Sequence, residues 1–166
     1  MQHVICRYDF AGALLFPSDQ QQNVDLQGVV TPSGPVSGYF EFDASASPSS
    51  PGKFNLASAK FHADFAGLKV SASGGEAVVG GANDSSLEFT FSLAANEFPV
   101  PIASAQAGFS FITYLDFYFS RWFLPAIEVN QGDRNCFVHF TDKQGKKGNL
   151  TTDTNVHFTS FKVTVS

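Results

Sequence analysis

Methionine and tryptophan occur once each in this chain, and cysteine only twice. Cys6 and Cys136 are too few and too far apart for a zinc-ligand set or a disulfide-framed mini-domain. Two readings remain for them. Strands from the two ends of the domain could carry one disulfide, which fits an oxidising compartment. Otherwise both are buried thiols acting as small apolar side chains.

Charge is scarce as well. Lys, Arg, Asp and Glu make up 15% of the chain, against about 25% in a typical soluble domain. Ser, Thr, Asn, Gln and Gly must therefore cover the surface, a texture common in exported β proteins. The net charge is −5, and the basic residues are scattered apart from Lys143, Lys146 and Lys147. That pattern excludes the basic stripe a nucleic-acid partner needs to neutralise phosphates. No run of about 18 uncharged apolar residues is present to span a bilayer; Asp116 and Arg121 interrupt the best candidate. Catalytic signatures are missing too: no G-x-S-x-G elbow, P-loop, H-E-x-x-H or dinucleotide fingerprint occurs. Met1-Gln2-His3 leads straight into a strand-like run, without the basic start and cleavage site of a signal peptide. The expectation is an extracellular or periplasmic protein whose leader lies outside this chain, with a cytoplasmic one as the alternative.

What the chain does have is phenylalanine, 19 residues of it in 166. A chain of that length fits one domain, residues 1–166, with enough interior to fold without staples. The richest stretch is Ala107 to Val129. Its odd positions, Phe109, Phe111, Thr113, Leu115, Phe117, Phe119, Arg121 and Phe123, are nearly pure hydrocarbon. Its even positions, including Tyr114, Asp116, Tyr118 and Trp122, carry rings with polar tips and one carboxylate. A helical stripe through Phe111, Leu115, Tyr118, Phe119 and Trp122 also exists. Aromatic side chains prefer a pleated surface, so the stretch is predicted as a strand, bent near Asp116.

Similar alternation recurs along the chain. Cys6, Tyr8 and Phe10 share a face of the first strand, and Val36, Phe40 and Phe42 share a face of another. A strand from Phe61 to Val70 is expected to kink at Gly67, and Ser71 to Asp84 reads as a Gly-rich stretch around Ala77-Val78-Val79. Leu87, Phe89, Phe91 and Leu93 line one face of a clear strand. Val24–Thr31 and Ala126–Val129 are predicted as short strands. Cys136–Thr141 should pair across the turn that follows it, and Val156–Val165 closes the domain. Eight to ten strands without a convincing amphipathic helix predict an all-β fold. The architecture is either an antiparallel, jelly-roll-like β-sandwich or a closed β-barrel.

Candidate chemistry is sparse. His3, His62, His139 and His157 show no ligand spacing, and a solvent-facing strand position explains the last three, so no metal site is expected. Calcium is an alternative at two loop clusters, Asp133 with Asn135 and Asp19 with Asn23 and Asp25; ordinary turns have the same composition. The even face of the Phe-rich stretch is the richer constellation. Tyr114, Tyr118 and Trp122 could stack on a sugar or an apolar ligand. Asp116, desolvated among them, would be the candidate general acid or base. Second-layer core with wetted polar tips is the plainer explanation of the same rings.

Through Tyr8-Asp9-Phe10-Ala11-Gly12 and Gly34-Pro35-Val36-Ser37-Gly38-Tyr39-Phe40-Glu41-Phe42-Asp43, the chain resembles the opening of bacterial exported proteins with PEP-CTERM sorting signals. The likeness covers about the first 45 residues. Neither that family's leader nor its sorting helix occurs in this sequence. The resemblance implies export and a β-sandwich rather than an activity.

Two functions are consistent with these features. The first is an exported, non-catalytic β-sandwich binding a carbohydrate, an apolar small molecule or a surface partner. The alternative is a small cofactor-free cyclase or isomerase with a Phe/Tyr-lined apolar pocket, stabilising positive charge with ring faces.

Overall fold

Alternation of rings with short polar side chains drives the chain into strands, because every second residue can then be buried on one face. A computed structural model describes residues 2–15, 30, 33–94, 98, 101–113 and 118–166. The predicted strand Val24–Thr31 thus lies, but for Val30, outside the described residues. The strands are β1 (Val4–Ala13), β2 (Pro35–Asp43), β3 (Lys53–Phe65), β4 (Leu68–Gly80), β5 (Ser86–Leu93), β6 (Ile102–Ile112), β7 (Asp133–Asp142), β8 (Lys147–Thr151) and β9 (His157–Val165).

All pair antiparallel in one sheet of order β8-β7-β6-β5-β4-β3-β2-β1-β9. The first eight form a meander, and the last returns to the free edge of the first. The sheet curls into a half-barrel. The fold is all-β as expected, and of the two predicted architectures it approaches the barrel. One continuous sheet bends round instead of splitting into the two layers of a jelly roll. The chain just past β1 meets the end of edge strand β8 at one corner, where Leu14 bridges Thr152 and the Leu15 amide donates to the Thr151 carbonyl.

The curl has local causes. Between Leu56 and Lys60 the register of β3 slips against β4, leaving three residues opposite Gly74 alone. Such a bulge bends the strand that carries it and sharpens the local twist. Ala66 and Gly67, with φ of 54° and 117°, form the two-residue turn joining β3 to β4. Positive φ at both central positions is what a tight hairpin requires. The expected kink at Gly67 is therefore a full reversal, and the Gly-rich stretch after it belongs to β4 as far as Gly80.

The interior is filled by rings. Tyr8 and Phe10 of β1, Phe40 and Phe42 of β2, and Phe89, Phe109 and Phe111 of β5 and β6 are all buried. Rings from opposite arcs meet across the barrel: Phe42 and Phe89 at 4.7 Å, Phe40 and Phe109 at 4.7 Å, and Phe10 and Phe109 at 5.1 Å between centroids. These separations fall in the favourable range for aromatic pairs. Leu87, Phe89, Phe91 and Leu93 all face inward, as their spacing predicts.

Cys6 and Cys136 also face inward and are free, so the disulfide is not formed and the buried-thiol reading holds. Burial, aided by nearby Asp43, pushes the Cys6 thiol up to about 11. Burial likewise pushes Cys136 well above its ordinary value.

Candidate functional site

The Phe-rich stretch follows its predicted course only at the start. Phe109 and Phe111 of β6 face inward, while Ser110 and Ile112 face outward. Past Ile112 the strand ends at Thr113, whose amide and hydroxyl both donate to the Ser85 carbonyl, at 2.8 and 3.0 Å. A strand continuing to Val129 would have outrun its neighbours β5 and β7. Residues 118–132 form instead an irregular strap that carries the chain towards β7.

The strap is pegged at both ends. Phe119, Leu124 and Val129 are buried in the core. The Phe119 amide donates to the Asp84 carbonyl, and the Gly52 amide donates to the Arg121 carbonyl. The Arg121 guanidinium pairs with the Asp84 carboxylate at 2.9 Å. Farther along, the Tyr8 hydroxyl donates to the Ile127 carbonyl at 3.0 Å and accepts from the Val129 amide at 3.2 Å. Burial raises the Tyr8 pKa, so its proton stays in place for that bond. Ala126–Val129, predicted as a short strand, is therefore held by a side chain and not by a ladder.

Between the pegs, the side chains facing water are large. Tyr118 is 57% exposed, Trp122 65%, Phe123 66% and Ile127 62%. Each long apolar side chain left out of a core forgoes about 1.5–3 kcal/mol of burial. Clustered exposure of this kind marks contact surfaces.

Of the residues read as ligand contacts, Tyr118 and Trp122 lie on this strap; Tyr114 and the candidate catalytic Asp116 lie outside the described residues. Phe123, expected on the hydrocarbon face, is among the most exposed. Neither it nor Ile127 was read as a contact residue. Pro125 between them, which cannot donate to a ladder, was the available sign that the alternation stops there.

The histidines do not converge. His3 bonds the Asp43 carboxylate at 2.6 Å, and His62 stacks on Tyr39 with centroids 5.2 Å apart. His139 packs beside Phe137 at 4.7 Å, where burial lowers its pKa and favours the neutral ring. His157 opens β9, exposed. Among the described residues no three His, Cys, Asp or Glu side chains gather as a metal site. Asp133 and Asn135 sit at the start of β7; Asp19, Asn23 and Asp25 lie outside the described residues. Among the described residues, no helix is long and apolar enough to cross a membrane. No family model, curated protein or solved structure matches the chain.

Proposed function

We propose that this chain is a non-catalytic binding domain that holds carbohydrate against the exposed rings of its strap. One observation carries the reading: Tyr118, Trp122 and Phe123 stand in water on a segment fixed from behind by Phe119, Leu124 and the Arg121–Asp84 pair. Planar rings can stack on the apolar face of a sugar. A ring already held in place also loses little conformational entropy when it does so. Low charge and a surface of hydroxyl and amide side chains suit the same ligand class and an exported setting. Among the described residues the interior is packed with rings, which favours a binder over a cyclase or isomerase, since that chemistry needs an apolar pocket large enough to enclose its substrate.

Trp122 is the sole tryptophan, so its emission reads the site directly. Titration with soluble polysaccharides should shift that emission to the blue and protect it from acrylamide. Phe123→Ala should weaken the response about tenfold, or ~1.4 kcal/mol. If no glycan in a broad panel moves Trp122, the strap does not bind carbohydrate.

A further inference from the structure

The outer face of the sheet carries a chain of concavities. The first, about 570 Å³, is bounded by Ser37, His62 and Ser71. His62 and Ser71 also border the next, of about 380 Å³, which extends to Ser73 and Ser92. Those two serines border a third of about 410 Å³, reaching Thr90 and Gln106. Ser92 and Gln106 then open onto the largest, about 610 Å³, which ends at His139 and Asn149. Because each shares residues with the next, these shallow depressions line up as an open trough crossing the strands from β2 to β8. At about 4.8 Å per strand, six steps make it ~29 Å long, far more than a single small molecule needs.

Its lining is chemically selective. Hydroxyls and amides dominate the middle, and Ser92 and Gln106 make no side-chain hydrogen bond among the described residues. Charges at the β2 and β3 end come in offsetting sets. Lys60 lies 4.0 Å from Glu41, and Asp64 and Lys69 are register partners. An aromatic pair flanks each end: Tyr39 stacked with His62 at one, Phe137 beside His139 at the other. Phe137 is seated by Gly108, where a Cβ would fall 2.2 Å from its ring, so the pair beds into the sheet and leaves the exposed imidazole on top.

We propose that this trough binds a linear, uncharged glycan, with the His62 and His139 rings stacking on sugars at its ends and Gln106 and Ser92 hydrogen-bonding hydroxyls between them. Both signs of charge border the trough, with Glu76 at its middle and Lys147 at its far end beyond the Lys60–Glu41 and Asp64–Lys69 sets. That mixture disfavours a polymer carrying one sign of charge, and the ring at each end suits pyranose faces better than a peptide backbone. The proposal shares with the strap reading only the class of ligand.

The experiment uses the Trp122→Ala protein, which removes the principal strap ring, and titrates it with cellohexaose, maltohexaose and xylohexaose and with the matching disaccharides. Amide spectra should show at least one hexaose moving Ser71–Ser73, Ser92, Gln106 and His139. That hexaose should bind at least tenfold more tightly than its disaccharide. Gln106→Ala and, separately, Ser92→Trp, which fills the trough, should each weaken binding tenfold or more while leaving the circular dichroism spectrum unchanged. Gln106 and Ser92 are exposed, so Gln106→Ala keeps the test valid should Ser92→Trp disturb the sheet. The proposal is overturned if no hexaose binds, if the shifts fall only on the strap, or if the folded Gln106→Ala protein binds like its parent. Trough binding alongside an unmoved Trp122 in the natural chain would end the strap reading alone.

Discussion

The hydroxyl of Tyr8, on the first strand, is bonded to both the Ile127 carbonyl and the Val129 amide, 119 and 121 positions later in the chain. Val129 is buried, so removing the hydroxyl strands its N–H away from water. Tyr8→Phe should therefore lower stability by about 1–3 kcal/mol, the penalty for an unsatisfied buried group. Hydrogen exchange at Val129 should quicken at the same time. Unchanged exchange there would show that the strap is held by its apolar pegs alone.

A second expectation concerns the ring core. Phe89 is fully buried against Phe40, Phe42 and Phe111. Phe89→Ala should cost about 3–5 kcal/mol in urea-induced unfolding, because rings on three sides cannot collapse fully into the space left. A loss below ~1 kcal/mol would contradict the packing of β2 against β5.

Acid should act through Asp43. Burial alone would raise its pKa, but hydrogen bonds from the Ser45 hydroxyl, His3 and the Ser45 and Val4 amides outweigh that and hold the carboxyl well below 3.8. A carboxylate with a depressed folded pKa adds stability above its unfolded value and loses it as pH falls towards the folded one. Unfolding free energy should accordingly decline from about pH 4 downwards. Asp43→Asn should lower stability at neutral pH and flatten that part of the profile. An unchanged slope would mean that other carboxylates govern acid unfolding.

Neither thiol should react in the folded protein. Cys6 and Cys136 are both buried with raised pKa values, so little thiolate is available at pH 8. A thiol-specific chromogenic reagent should label neither until denaturant is added, and then both. Fast labelling in native buffer, or none after unfolding without reductant, would refute the burial or the free state respectively.

The inward faces of β1, β2 and β5 could be read directly, because large rings alternate there with Arg, Glu, Thr or Ser without a break. β3 and β4 were harder. Ala57, Ser58, Gly74 and Gly75 carry little hydrophobic signal; Gly75 is strand by pairing with Leu56 on one side and Phe91 on the other, and the remaining three sit in the bulge. The strap illustrates a different limit. Rings continue past Thr113 with the same rhythm, yet the strand stops there, where Thr113 is tied to the Ser85 carbonyl, 28 positions earlier. No local pattern records that bond. The exposure of Tyr118 and Trp122 agrees with their polar-tipped face of the stretch, whereas Phe123, on the hydrocarbon face, is exposed as well. The trough leaves no local signature, because its serines and glutamine belong to separate strands that only the curled sheet aligns.

The place of β9 also bears on how the molecule assembles. Strands β1 to β8 can join by successive hairpins, each closing a comparatively short stretch of chain. The pairing of β1 with β9, Val4 with Val165, joins strands separated by all the others in the chain. Ordering so large a loop comes before its reward, which slows such steps relative to local ones. During synthesis, the edge of β1 would stay bare until the last strand left the ribosome. Tyr8 would meanwhile lack Phe158 and Phe161, the two β9 rings that pack on it at 4.5 and 4.7 Å. Chains in which β9 has not yet paired are therefore most vulnerable to mispairing along β1.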